Sequence, residues 1–219
     1  MASPFDYVEY TNMLKNYDIS FKEKTYQAGD LITIVHSTET NNIFLIKEGF
    51  VSAYFGDDST EIYTILAKNN FFCYFPHSEN FPKDLHFYAL TDVTVYIIDN
   101  KEFTFSLSAF PENFGFHYLF SRDVSKHAFY RSILYMVPKQ NRLLFALKTF
   151  VILFDLEAKE GKFVFPRELN SKILKSYTNL SKKVFYTQLN TLYTDGIVFK
   201  KDKHFEIDAK SLDELEFLT

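Results

Sequence analysis

Apolar and polar positions change rhythm twice along this chain. From Phe21 to Asp99, short apolar runs alternate with polar residues and stop at turn signals, the texture of an all-β domain. The runs predict strands at 31–35, 43–47, 51–55, 61–66, 71–75, 85–90 and 93–98. Gly29-Asp30, Glu48-Gly49 and Gly56-Asp57-Asp58-Ser59 supply turns between them. Strands of this length and spacing suggest a sandwich or barrel-like roll. Residues 1–20 predict little beyond a helical or irregular lead-in.

At Asn100 the period becomes helical. A short helix over 101–109 is predicted, capped by Asn100. Pro111 then opens a longer helix that runs to Val137, and Pro138 closes it. Two apolar series share this helix. Phe116, Phe120, Asp123, His127, Tyr130, Leu134 and Val137 keep 3–4 spacing and predict a coiled-coil seam against a second copy of the chain. Leu119, Lys126, Phe129, Ile133 and Met136 would then face the β-domain. The competing reading buries the whole helix inside a monomer.

The last third is compact and helical. Residues 141–156 are apolar almost all round, which suits a central helix. A polar loop over 157–162 and a short strand over 163–165 follow. Asn170 predicts the N-cap of a helix over 171–177, and Asn179 a left-handed turn. Ser181 predicts the cap of a second helix, 182–194, ended by Gly196. Phe185, Leu189 and Leu192 fall on one face of it. Ser181, Lys182, Lys183, Tyr186 and Thr187 lie on the other, with Gln188 at its edge. A helix with one apolar face and a cationic leading end suits a DNA major groove. Strands over 197–200 and 204–207 flank Lys201-Asp202-Lys203, a wing with a basic tip. A terminal helix is predicted over 211–217.

Charge sharpens this picture. Residues 139–203 carry 13 Lys and Arg against 6 Asp and Glu, a net +7 within a chain of net −4. The remainder is −11, so a polyanion partner is expected for the basic segment alone. A single cysteine, Cys73, excludes a disulfide or a cysteine-ligated metal cluster within one chain. With no leader pattern and no long apolar run, a cytoplasmic protein without a membrane segment is expected. His77, Glu79 and His86 fit no strong metal-ligand spacing, and no catalytic triad, paired-carboxylate motif or glycine-rich phosphate loop is present. The expectation is therefore no enzyme, no metal and no cofactor.

The order of these parts resembles the cyclic-AMP receptor/Fnr (Crp/Fnr) family of bacterial transcription regulators. Residues 26–32 (YQAGDLI) resemble the family's first Gly-Asp turn, and residues 43–51 (IFLIKEGFV) its strand–Gly–strand signature. Residues 103–111 are similar to the segment before its dimer helix, and residues 181–192 to its recognition helix. The resemblance implies an α+β fold. A cupin-like antiparallel β-roll (1–110) would precede a dimerisation helix (111–138) and a winged helix–turn–helix (139–219). It further implies a homodimer on double-stranded DNA, and RNA polymerase as a partner if the protein activates. Two departures matter. Members that bind cyclic nucleotides hold the phosphate with glycine and arginine in a late cassette, yet residues 71–90 contain neither. No cyclic-nucleotide binding is expected, and the effector stays open. Thr187 stands where the family usually places an arginine. The aromatic-rich roll is reminiscent of PrfA-like activators. Expected DNA contacts are Ser181, Lys182, Lys183, Tyr186, Thr187, Gln188, Lys201 and Lys203, with Arg167, Lys172 and Lys175 as weaker phosphate candidates. The alternative is a roll that binds a small molecule or protein, with a winged helix that contacts protein.

Overall fold

The computed structural model describes residues 6–36, 41–56, 60–74, 84–109, 111–202 and 204–213. They form two compact units, one of residues 1–59 with 64–126 and the other of 60–63 with 127–219.

Helix α1 (Tyr7–Asn16) precedes strands β1 (Phe21–Tyr26), β2 (Leu31–Val35), β3 (Asn42–Glu48), β4 (Val51–Phe55), β5 (Ile62–Leu66), β6 (Phe71–Phe72), β7 (Leu85–Ala89) and β8 (Val93–Asp99), all in the first unit but for residues 62–63 of β5. They make two four-stranded sheets, ordered β1-β8-β3-β6 and β2-β7-β4-β5. The first strand, β1, has one buried residue in six, so no apolar alternation marks it; pairing with β8 defines it. Between the sheets, the ring of Phe72 lies 4.8 Å from Phe44 on β3 and 4.9 Å from Phe87 on β7. All three rings are buried. The turn before β4 depends on Gly49, whose φ is +89° and whose absent Cβ would sit 2.3 Å from the Asp92 carbonyl oxygen.

Helix α2 (Asn100–Ser108) starts one residue earlier than expected. Asp99, not Asn100, is its cap: the carboxylate accepts from Lys101 N–H at 2.8 Å and Glu102 N–H at 3.2 Å. A 3-10 turn over Pro111–Asn113 leads into α3 (Phe114–Met136). Phe116 and Phe120 of α3 join Tyr10, Leu14, Phe71 and Phe103 in an aromatic core.

That core corrects the expected dimer seam. Phe116, Phe120, Leu134 and Val137 are each at most 4% exposed, and His127 is also buried. Asp123 receives hydrogen bonds from Tyr7 and Arg122, and Tyr130 is half-buried near Phe145. The series faces inward. Its expected counterpart splits, with Leu119 buried and Phe129 and Met136 exposed. The outer stripe of α3 is Phe114, Tyr118, Arg122, Ser125, Phe129, Ser132 and Met136, all exposed and spaced by three or four.

In the second unit, α4 (Arg142–Leu153), α5 (Ser171–Thr178) and α6 (Lys182–Thr194) surround a core that includes Leu143, Phe150, Leu174, Tyr177 and Phe185. Strands β9 (Ala158–Lys159), β10 (Lys162–Val164), β11 (Val198–Lys201) and β12 (His204–Asp208) form one antiparallel sheet in the order β11-β12-β10-β9. The expected loop at 157–162 is instead a hairpin. Glu160 and Gly161 both have positive φ, as a tight two-residue turn between strands requires. Helix α7 (Ala209–Asp213) follows β12, and the rest of the expected terminal helix lies outside the described residues.

Candidate nucleic-acid interface

Capping residues set both helices of the motif. The Asn170 side chain accepts from Lys172 N–H at 2.9 Å and Ile173 N–H at 3.3 Å, which starts α5. Asn179 ends it in the left-handed conformation, φ 49° and ψ 43°. Two residues later Ser181, itself extended, caps α6 through Val184 N–H at 3.4 Å. The three-residue gap, 179–181, follows from an asparagine that tolerates positive φ and a serine that caps.

Phe185, Gln188, Leu189 and Leu192 form the buried face of α6. At 100° per residue, the positions opposite it are Lys183, Thr187, Asn190 and Thr194, and all four are exposed. Lys182 and Tyr186 flank the stripe on one side and Val184 and Thr191 on the other; each is exposed. Ser181, Lys182, Lys183, Tyr186 and Thr187 are thus brought together on one open surface. Three cationic or polar residues gather at the helix N-terminus, where unpaired N–H groups and the dipole favour an anion.

Gln188 leaves that set. It is 9% exposed. Its amide oxygen accepts from Leu143 N–H at 3.2 Å, and its amide nitrogen donates to the Lys139 carbonyl at 2.7 Å. Leu143 lies in the first turn of α4, where an N–H has no partner within its own helix. Gln188 meets that need and ties α6 to α4. Asn190 takes its place on the surface. The signal was present in the sequence, since Asn190 follows Lys183 by seven residues and Thr187 by three.

The wing holds Lys200 and Lys201 in exposed positions beside Asp202, whose φ is 47°. Lys203 lies outside the described residues. Lys162 is engaged locally, 3.3 Å from Glu206 and over the Phe199 ring. Arg167 is exposed and donates to His204 at 3.1 Å; Lys172 is exposed and Lys175 half-buried.

A second group, unmarked by any sequence motif, fixes α5. Arg131 of α3 is 3% exposed. Its guanidinium donates to the Tyr177 carbonyl and to the Glu61 carboxylate, each at 2.5 Å, and to Tyr135 Oη at 2.7 Å. Tyr135 also donates to Glu61, and the guanidinium lies over the rings of Tyr135 and Tyr177. Burial pushes the Tyr177 phenol up to about 12, with Arg131 opposing the shift. Beside it, the Ser176 hydroxyl donates to the Thr60 carbonyl and accepts from Ile62 N–H at 3.1 Å. The cluster pins the C-terminal end of α5, just before the turn to α6.

The other candidates do not gather. Burial raises the Cys73 thiol well above its ordinary range, so the thiolate is disfavoured. His77 and Glu79 lie outside the described residues, and among the described residues no group of three potential ligands could hold a metal. Among the described residues, no helix is long and apolar enough to cross a membrane.

Neither a family model nor a curated protein sequence matches the chain. Solved structures do. A cyclic nucleotide-binding domain containing protein from Listeria monocytogenes EGD-e is 19% identical, with a TM-score of 0.76 over 94% of this chain and 99% of that one. FixK2 from Bradyrhizobium japonicum is 15% identical, with a TM-score of 0.72 over 90% and 98%. A CooA double mutant from Carboxydothermus hydrogenoformans is 18% identical, with a TM-score of 0.71 over 98% and 97%. The chain therefore shares the fold of these solved structures, a roll of the cyclic nucleotide-binding-domain type followed in sequence by a helix–turn–helix.

Proposed function

We propose that this protein is a sequence-specific DNA-binding transcription regulator that acts as a homodimer without binding cyclic nucleotides. The observation that carries the reading is the exposed, cationic leading end of α6, set directly opposite the face that holds the helix in its domain. Ser181 and Lys182 meet the backbone at the groove edge, and Lys183, Tyr186, Thr187 and Asn190 reach base edges. Lys200 and Lys201 on the wing, with Lys203 two positions beyond Lys201 in the sequence, meet flanking phosphates. The +7 balance of residues 139–203 supplies the long-range attraction.

Two copies would pair through the outer stripe of α3. Phe114, Tyr118, Phe129 and Met136 are 61–75% exposed there, an apolar surface that a partner would cover. Such a pair places two half-sites about 34–36 Å apart. The Phe44–Phe72–Phe87 stack supports the absence of a cyclic nucleotide, because apolar rings occupy space between the sheets. With residues 71–90 lacking glycine and arginine, an anionic phosphate has no evident cradle in that segment.

The test is a salt-titrated gel shift with genomic fragments. Lys182→Ala with Lys183→Ala should weaken binding sharply and flatten the log–log salt slope by about 0.9 for each phosphate that the variant no longer neutralises. An unchanged slope and affinity in the double variant would remove α6 from the interface.

A further inference from the structure

The exposed face of α6 also limits which bases it can read. This inference rests on the DNA-binding reading above. From Lys182 to Thr194 the helix contains no arginine and no carboxylate. It therefore lacks the forked donor that best matches guanine, and the acceptor that takes the cytosine amine. What stands opposite the buried face is Lys183, Thr187, Asn190 and Thr194, with Tyr186 and Val184 beside them.

Asn190 is the one exposed side chain there that carries a donor and an acceptor in a planar amide. Adenine presents the matching acceptor and donor on its major-groove edge, whereas guanine presents two acceptors and would leave the amide oxygen unpaired. The hydroxyls of Thr191 and Thr194 donate to the helix's own carbonyls, at Thr187 (3.2 Å) and Asn190 (3.0 Å). Their protons are committed within the helix, which lowers their worth as donors to guanine. Thr187, Val184 and Tyr186 add exposed apolar surface, and thymine alone offers a methyl group in the groove.

We propose that α6 reads an A·T-rich half-site, in which Asn190 takes an adenine bidentately and Thr187 packs on a thymine methyl. Lys183, at the leading end, is the residue that would accommodate a single guanine. Asn190 is the specificity-determining residue, and Gln188 contributes only by holding α6 in place.

The experiment is selection of bound duplexes from a randomised pool by the full chain, at fixed moderate salt. The wild-type protein should enrich A·T-rich half-sites. Asn190→Ala should lose the preference at one adenine position and keep the others, with affinity for the selected site falling about 5- to 150-fold. In the wild-type complex, replacing that adenine by 7-deazaadenine should reproduce part of the loss, and the same replacement should add nothing to Asn190→Ala. Uracil for thymine opposite Thr187 should weaken binding by a smaller factor. G·C-rich winners, or an unchanged motif with Asn190→Ala, would overturn this inference while leaving DNA binding intact. So would retention of DNA without enrichment of any sequence. Failure to retain any duplex at low salt would remove the DNA-binding reading, and this inference with it.

Discussion

Removing Glu61 should cost more than removing the arginine it pairs with. The side chain of Arg131 is 3% exposed, whereas that of Glu61 is 30% exposed. If Arg131 becomes Met, the aliphatic volume stays and the Glu61 carboxylate is re-solvated where it stands. The loss is the charge-assisted hydrogen bond to the Tyr177 carbonyl and the ring contacts, about 1.5–3 kcal/mol. If Glu61 becomes Ala, the guanidinium keeps its charge in a site that water barely reaches. Breaking a buried pair this way costs about 3–5 kcal/mol. The half-exposed Tyr135 and the Tyr177 carbonyl soften it toward the lower end.

The double variant decides the matter. Glu61→Ala with Arg131→Met removes the stranded charge, so it should be no less stable than Glu61→Ala alone. Additive losses would reach roughly 5 kcal/mol; the expected loss is nearer 3, a coupling of about 2 kcal/mol. Urea unfolding followed by circular dichroism suits a chain with no Trp. Hydrogen exchange should show the loss concentrated in α5, because Arg131 holds the carbonyl of Tyr177. Additivity within about 0.5 kcal/mol, or a double variant weaker than either single one, would refute the reasoning.

Three further outcomes follow from particular residues. Phe129→Asp with Met136→Asp should shift sedimentation to the monomer and keep the circular dichroism spectrum, whereas Phe120→Asp should unfold the first unit; a double variant that still sediments as a dimer would move the seam elsewhere. Gly49→Ala should cost at least about 2 kcal/mol in thermal unfolding, from left-handed strain plus a clash with the Asp92 carbonyl, while Gly161→Ala, with φ +76° but open space around it, should cost only about 1 kcal/mol. Cys73 should resist iodoacetamide at pH 8 in the folded protein, because burial holds its thiol protonated there, and should react once guanidinium exposes it; rapid labelling of the native chain would contradict that burial.

How far the sequence disclosed this molecule depends on whether one signal or two competed at a position. The helix–turn–helix was legible because Asn170, Asn179 and Ser181 each have one strong local use, and the structure uses them so. Cap choice at α2 was less secure, because Asp99 and Asn100 are adjacent and both can cap. Pairing found β1, which no alternation marked. Gln188 was misplaced by its neighbours: an amide beside Thr187 reads as surface unless one knows that a helix start at Leu143 needs an acceptor. Arg131 carried no motif at all, since two of its three partners are separated from it by 46 and 70 residues and only Tyr135 is close in sequence.

The long helix shows why periodicity alone cannot choose a face. Phe116, Phe120, Leu134 and Val137 satisfy the spacing of a seam, but so do Phe114, Tyr118, Phe129 and Met136. Spacing fixes the angle between two stripes and leaves open which turns inward. What selects the first is the supply of aromatic partners. Phe120 lies 4.7 Å from Tyr10 and 4.4 Å from Phe71, and Phe116 lies 5.2 Å from Tyr10. Those contacts join α1 and β6 to α3, so they depend on tertiary pairing that no local window contains. Once the inner stripe is satisfied within the chain, the outer one keeps Phe114 in the first turn, Phe129 two turns before the end and Met136 in the last turn. Burying such side chains is worth about 1.5–3 kcal/mol each, a gain that only an additional surface can realise. The inner stripe is thus the condition for folding, and the outer one is the surface that the proposed second copy would cover, so the two sets of substitutions should separate in any assay that measures both folding and association.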